Sequence, residues 1–573
     1  MPSTLSLHWP MLAWMLLCAG GGFAAWNRLF SPRMEGRWAA VLLVLAIVPL
    51  LPALRVGYVY GPFDTNAPLL PWVDDADAGY RVRGGRLNDV TLQFLPWQAE
   101  ARRQMLQGRA PLLNPFSGAG HPLLGDAQSA PFSLVSLLSL PFEPLESQAL
   151  RAFLKLLLAL GGTYLAARQL GCRPPASLLA AVAYAFGGSL SVWRQFPHAE
   201  VMALLPFAFL ASERLLEEPR ELRSRLLLGL ALGGILLSGH PETALTACLA
   251  LGGRWLFALL RAPRDPRRRR TVGLLLLIAV LSALGTSFFL LPVAEAVLGS
   301  EKLDREGGGR DLDRPSLTSG AAGGLANLAV PGLFGTPQGR GEAGPAPLHW
   351  LVEGAVGLPA LALALGGLFA RRGRGETRTY LILLAVFSYW VHLDPGGLLR
   401  PVLALPLISV VAARYFAFLG GFAVALLAAQ TLDLWTSEER DRRFVGGRFP
   451  AAAGALAAAL TVAQLWTALG GYYPVLARKY AYPPVPLLER LAAEPGPFRI
   501  IGTRGVFMPN ASTFYRLADV RAHDPMQPAR YIGWLHETLD VDVTRHKRQY
   551  GAPKRRHVPF LRLLGTRYLL TGP

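Results

Sequence analysis

The chain is poor in cysteine and in charge. Its three cysteines, Cys18, Cys172 and Cys248, fall in or beside apolar runs, and no pair has metal-ligand spacing. Neither a disulfide framework nor a cysteine-held zinc is therefore supported. Only 17% of the 573 residues are charged and 52% are hydrophobic, with a mean hydropathy of +0.32. That is too little charge and too much apolar surface for a soluble globular protein. No G-x-x-x-x-G-K-[ST] phosphate loop occurs, which argues against an ATP-driven pump. Acidic residues are the scarcer sign, 38 against 57 basic ones, for a formal charge of +19. The arginine runs have no interleaved aromatic platform, so nucleic acid is not the expected partner.

What the chain does have is long apolar runs. About twelve stretches reach or approach the ~17–25 residues that cross a bilayer. They lie near 8–27, 37–54, 149–168, 176–193, 200–216, 224–239, 241–260, 271–292, 351–370, 378–393, 414–433 and 449–471. The first lacks a basic leader, so it reads as a retained helix. Leu398–Val411 is short and broken by proline, and reads as re-entrant or interfacial. Arginines gather after the odd-numbered spans, at Arg28 to Arg37, Arg214 to Arg225, Arg261 to Arg270, Arg371 to Arg378 and Arg440 to Arg448. With twelve spans all five clusters share one side, which the positive-inside rule makes cytoplasmic, facing anionic lipid.

The expected fold is a polytopic α-helical membrane protein with a small α+β domain at its C-terminus. Residues 1–54 hold two spans, 55–148 a large outer loop, 149–471 the membrane core, and 472–573 the outer domain. A glycine-rich loop near 294–350 reads as a flexible flap. In the tail, strands are expected at Phe498–Ile501 and Thr566–Leu570, with a helix near Pro528–Thr538. Asn510-Ala511-Ser512 matches the glycosylation tripeptide, which is frequent by chance.

Chemistry concentrates between Leu87 and Gln128. Asp89 and Gln93 are four apart and share a helix face if Asn88 caps that helix. Pro96 would kink or restart it, since it lacks an N–H and crowds the carbonyl of Leu92. Trp97, Ala101 and Met105 continue an apolar stripe beside Arg102 and Arg103, as suits a helix lying in the headgroup layer. Gly108 ends it, and Asn114-Pro115, Gly118, Gly120 and Gly125 mark a compact run of turns.

Asp89, Gln93 and Pro96, the G-x-x-P-x-x-N-P element from Gly108 to Pro115, and G-x-P-L-L with its downstream glutamine from Gly120 to Gln128 resemble the first outer loop of the YfhO-like bacterial membrane proteins. The chain departs from that pattern at Leu113, where the family usually has an aromatic, and at Pro131, where the family proline lies further into the helix. The resemblance recurs at Asn510, Tyr515, the run Asp519 to Pro525, Arg530-Tyr531 and the closing L-L-G-T-R-Y-L-L. That family usually continues beyond this point, so the outer domain is expected to be incomplete. YfhO-like proteins are grouped with the GT-C glycosyltransferases, which use lipid-phosphate-linked sugars and keep an essential acid in the first outer loop. The resemblance thus implies a polyprenyl-phosphate-linked sugar as donor, an envelope glycan or lipid as acceptor, and Asp89 as the catalytic acid–base group.

Other candidates follow from residue type and place. His198 with Glu200, and His240 with Glu242, form H-x-E pairs at the expected outer membrane edge. There polar groups are costly unless used. They are candidates for sugar binding, less so for metal. Arg414 suits a phosphate through its planar fork, or else anchors the helix at the interface with Tyr415. A divalent cation at Asp74, Asp75 and Asp77 is an open alternative to solvated loop acids; no cofactor is otherwise indicated. The rival functions are a flippase-like transporter of lipid-linked polymer, against which the lack of internal repeats counts, and a non-catalytic envelope scaffold.

Overall fold

The computed structural model describes residues 6–73, 80–83, 87–300, 318–333, 335, 352–368, 375–393, 411–437, 449–503, 506–524, 526–541 and 553–572. The Asp74–Asp77 cluster, almost all of Leu398–Val411 and most of the glycine-rich loop lie outside them.

Helices dominate, and among the described residues six are long and apolar enough to cross a membrane: Trp9–Leu29, Gly36–Leu54, Gln148–Gln169, Pro241–Arg261, Ala413–Thr436 and Ala452–Leu469. A seventh forms only if Pro266–Gly285 and Ser287–Leu298, bent by 74° at Thr286, count as one span. The other expected spans are helical but differ in kind. Pro174–Ala185 and Leu358–Gly367 are short, Leu222–Leu237 has 16 residues, and His198–Glu217 and Glu376–Leu393 carry acidic and basic side chains near their ends. Hydropathy windows merged broken and intact helices because burial inside the bundle, like burial in lipid, selects apolar residues.

The Ala413–Thr436 helix is the hub, with 94% of its apolar window buried, whereas Trp9–Leu29 is only 22% buried and lies at the periphery. The Gln148–Gln169 and His198–Glu217 helices pack along each other. Small residues permit the close approach: a Cβ on Gly162 would meet the Phe207 ring at 2.8 Å and Pro206 at 3.1 Å.

One end of the bundle is closed by an ion-pair network. Arg254 bonds Glu213 at 2.7 Å and Glu376 at 2.8 Å, and Arg268 reaches Glu376 at 2.9 Å. The basic segments around residues 214, 261 and 376 therefore do share one end, as their charges implied. His198 begins the helix that carries Glu213 near its other end, so the two ends stand roughly 20–30 Å apart at 1.5 Å per residue.

At that far end the 55–147 loop and the C-terminal segment interlock. Tyr58–Tyr60 pairs antiparallel with Val475–Ala477. Leu113–Asn114 pairs with His121–Pro122. Arg499–Gly502 and Thr566–Leu570 form a parallel pair, and a helix spans Ala529–Leu539, close to the expected strand and helix positions. The tail is not packed apart from the rest: Leu488, Ile500, Phe507 and Leu517 belong to the main core. A small separate core gathers Ile501, Val520, Ile532 and Leu535. Asn510 of the glycosylation tripeptide is fully buried, which removes it as a sugar acceptor.

Candidate functional site

Asn88 does not cap the helix that carries Asp89. Both residues are already helical, and Asp89 makes no capping bond. The chain then widens into a π-turn over Val90–Phe94 before the α-helix Leu95–Leu106 begins. Such π-turns are rare and often found at functional sites. Pro96 is the local cause: its missing N–H leaves Leu92 without an α-helical donor. Side chains from the C-terminal segment take up the loosened carbonyls. Asn510 Nδ2 donates to Leu92 O at 2.9 Å, and the Tyr482 hydroxyl donates to Thr91 O at 2.5 Å.

Asn510 also locks the neighbouring turns. Its Oδ1 accepts from Ser117 Oγ at 2.6 Å and from the His523 N–H at 3.2 Å. Its Nδ2 donates again, to His523 O at 2.6 Å. Asn114 Nδ2 meets Thr513 Oγ1 at 3.0 Å, and the backbone N–H of Asp519 donates to Phe116 O at 3.0 Å. Behind these contacts Arg521 and Asp519 form a buried pair at 2.7 Å. Burial pushes the Asp519 carboxyl up, and Arg521 only partly draws it back.

The outcome is a small constellation from both ends of the chain. Gln93 Nε2 donates to Asp89 Oδ1 at 3.2 Å. His523 Nε2 stands 4.0 Å from the same oxygen, with Asp89 48% exposed and His523 16%. A half-exposed carboxylate, oriented by an amide and faced by an imidazole, is placed to accept a proton from a hydroxyl arriving from solvent.

A second, dry group lies at the same end of the bundle. Trp193 stacks on His198 at 4.2 Å and 9°, and His198 stacks on His240 at 3.5 Å and 26°. Arg414 lies over the rings of Trp193 at 5.3 Å and Tyr415 at 5.1 Å, within electrostatic reach of Glu353 and Glu242. Trp193 Nε1 donates to Glu353 Oε2 at 2.9 Å. His240 caps the Pro241–Arg261 helix, its Nδ1 accepting from the Thr243 N–H at 3.2 Å.

Glu353 reaches this group through two glycines. A Cβ on Gly188 would lie 1.7 Å from Val352 O, and one on Gly187 would lie 2.7 Å from Ala355 O. The helix breaks at this notch, and the Val352–Gly357 turn seats in it, held by Gly188 N–H to Ala355 O at 2.8 Å and Gly354 N–H to Ser189 Oγ at 2.9 Å.

The structure therefore brings Asp89 and Gln93 together, and separately His198, His240, Glu242 and Arg414. It parts Glu200 from His198. Two residues apart on a helix, their side chains diverge by about 200° at 3.6 residues per turn. Glu200 instead accepts from the Val135 N–H at 3.1 Å and faces Lys155 and Arg151. Among the described residues no group of three or more His, Cys, Asp or Glu is placed to hold a metal ion. Sequence reasoning missed Glu353, Trp193, His523 and Asn510 as site residues. Asn510 and the Asp519–Pro525 run, which holds His523, already carried the family-like pattern; Glu353 and Trp193 had no local signal.

No family model matches the chain, and no curated protein does. Among solved structures it is similar to an oligosaccharyltransferase of Archaeoglobus fulgidus, in complex with zinc and sulfate, at a TM-score of 0.49 and 12% identity, over 92% of this chain and 67% of that one. That likeness falls below the level at which a shared fold is assigned.

Proposed function

We propose that the protein is an integral membrane glycosyltransferase of GT-C type, with about twelve membrane passes or part-passes. It transfers a sugar from a polyprenyl-phosphate-linked donor to a cell-envelope acceptor on the outer face of the membrane. The observation that carries this reading is the Asp89–Gln93–His523 constellation, at the end of the bundle opposite the arginine network. Positive-inside orientation puts that network in the cytoplasm and Asp89 outside.

Asp89 takes the proton of the acceptor hydroxyl as that oxygen attacks the anomeric carbon. The carbon–oxygen bond to phosphate breaks, and polyprenyl phosphate departs with the electron pair. Phosphate leaves readily, so one carboxylate suffices where a glycosidase uses two. Gln93 orients the carboxylate, and His523 steadies its charge. His198, His240, Glu242 and Arg414 form the donor-side group. Within it the Arg414 charge is shared with Glu353 and Glu242, so its part is to shape the site more than to grip phosphate alone. Glu200 is assigned to the packing of the loop.

The test is transfer of sugar from defined polyprenyl-phosphate sugars by the purified protein in lipid. A transporter would move the donor across vesicles without forming product, and a scaffold would do neither.

A further inference from the structure

Between the Leu95–Leu106 helix and the start of the Gln148–Gln169 helix lies a small pocket open to solvent. It belongs neither to the Asp89 constellation nor to the Arg414 group. Its polar wall is made by Arg102, Ser129, Ser136, Ser139, Ser147 and Arg151.

Two of its buried donors have no protein partner. Ser139 is 2% exposed, and neither its Oγ nor Arg151 Nε makes a hydrogen bond among the described residues. Buried donors of this kind are rare in native proteins unless a ligand or water takes them. The rest of Arg151 is oriented: one terminal nitrogen donates to Ser136 Oγ at 3.2 Å. Among the described residues the acid acting on Arg151 is Glu200, which is shared with Lys155. The Gln148–Gln169 helix ends at the pocket with no side-chain cap, so its positive end adds to the field. Arg102 stands at the mouth, tied to the exposed Glu143 at 3.0 Å.

The rim is apolar. Met105, Leu140 and Phe142 line it, and Leu106, Leu134 and Leu137 are exposed beside it. Hydroxyls and guanidinium groups below an apolar lip suit a phosphate group, whose oxygens accept from both.

We propose that this pocket binds a phosphate group, carried either by inorganic phosphate or by the headgroup of an anionic lipid, at a site separate from Asp89. The inference does not depend on the glycosyltransferase reading, since its test measures binding alone.

Full-length protein in a neutral detergent is heated with inorganic phosphate against chloride at equal ionic strength. It is then heated in phosphatidylcholine nanodiscs with and without phosphatidic acid. Stabilisation by phosphate itself supports the site with a free anion as ligand; stabilisation by phosphatidic acid alone supports it with a lipid headgroup. In either case the half-saturating concentration rises about tenfold or more in Arg151→Gln, because a charge-assisted bond is lost, and several-fold in Ser139→Ala. The proposal is overturned if neither ligand stabilises beyond its control, or if Ser139→Ala responds as the wild type does. Should Arg151→Gln fail to fold, Ser139→Ala decides the matter alone.

Discussion

Asn510 donates its side-chain amide to Leu92 O at 2.9 Å, the carbonyl whose α-helical donor would have been the missing N–H of Pro96. A proline in the first long loop and an asparagine in the C-terminal segment thus complete one turn of helix between them. Asn510→Ala deletes that bond and those to Ser117 and His523. It also puts alanine at a φ of 69°, where L-residues other than Asn and Gly are strained. The expected loss is about 1–3 kcal/mol for groups left buried without partners, seen as a lower unfolding midpoint, together with reduced transfer. An unchanged midpoint would show that the two segments are held together elsewhere.

Asp89→Asn should leave stability nearly untouched, since the side chain is half exposed, and lower transfer by about 10²–10⁴-fold. His523→Gln keeps a polar neighbour and removes the imidazole, and a smaller loss in turnover is expected. Steady-state transfer with a purified, folded variant checks both. Near-normal turnover in Asp89→Asn would remove the general-base role.

The glycine notch makes a stability prediction with an internal control. Gly188→Ala drives a Cβ onto Val352 O and displaces the turn that carries Glu353. Overpacking of this kind costs about 1–3 kcal/mol. Gly161→Ala, where a Cβ meets nothing within 4 Å, should be neutral or stabilising by about 0.5–1 kcal/mol in a helix. Thermal unfolding of the two variants side by side measures the difference; equal midpoints would mean the notch closes without strain.

Sidedness is open to labelling in a cysteine-free background. Arg516 and Arg264 are exposed. In intact cells an impermeant maleimide should label Arg516→Cys and spare Arg264→Cys. The opposite pattern would invert the protein and move the proposed reaction to the cytoplasm.

Much of the architecture was legible because its causes are local. Gly108, at a φ of 70°, follows the helix ending at Leu106, as its lack of a Cβ permits. Pro96 disturbs the helix around it, as a residue without an N–H must. The segments around residues 214, 261 and 376 meet through Arg254, Arg268, Glu213 and Glu376 at one end of the bundle. The number of membrane passes was less legible: a short buried helix such as Pro174–Ala185 and a full span have the same composition, and they differ only in what surrounds them.

Asp89 with Gln93 could be read from spacing, since four residues on a helix return to the same face. His523 beside Asp89 could not, because nothing in either segment encodes the other's position. Their meeting depends on Asn510 bonding Ser117, and Asn114 bonding Thr513, across the fold. The same holds for Glu353, an isolated acid in an apolar run until Gly187 and Gly188 admit its turn against Trp193. Sequence alone determined which segments are apolar, where helices break and which end carries the positive charge, through backbone sterics and transfer from water. Tertiary structure alone decided which polar groups share a site, because hydrogen bonds and ring stacking act over a few ångströms of space whatever their separation along the chain.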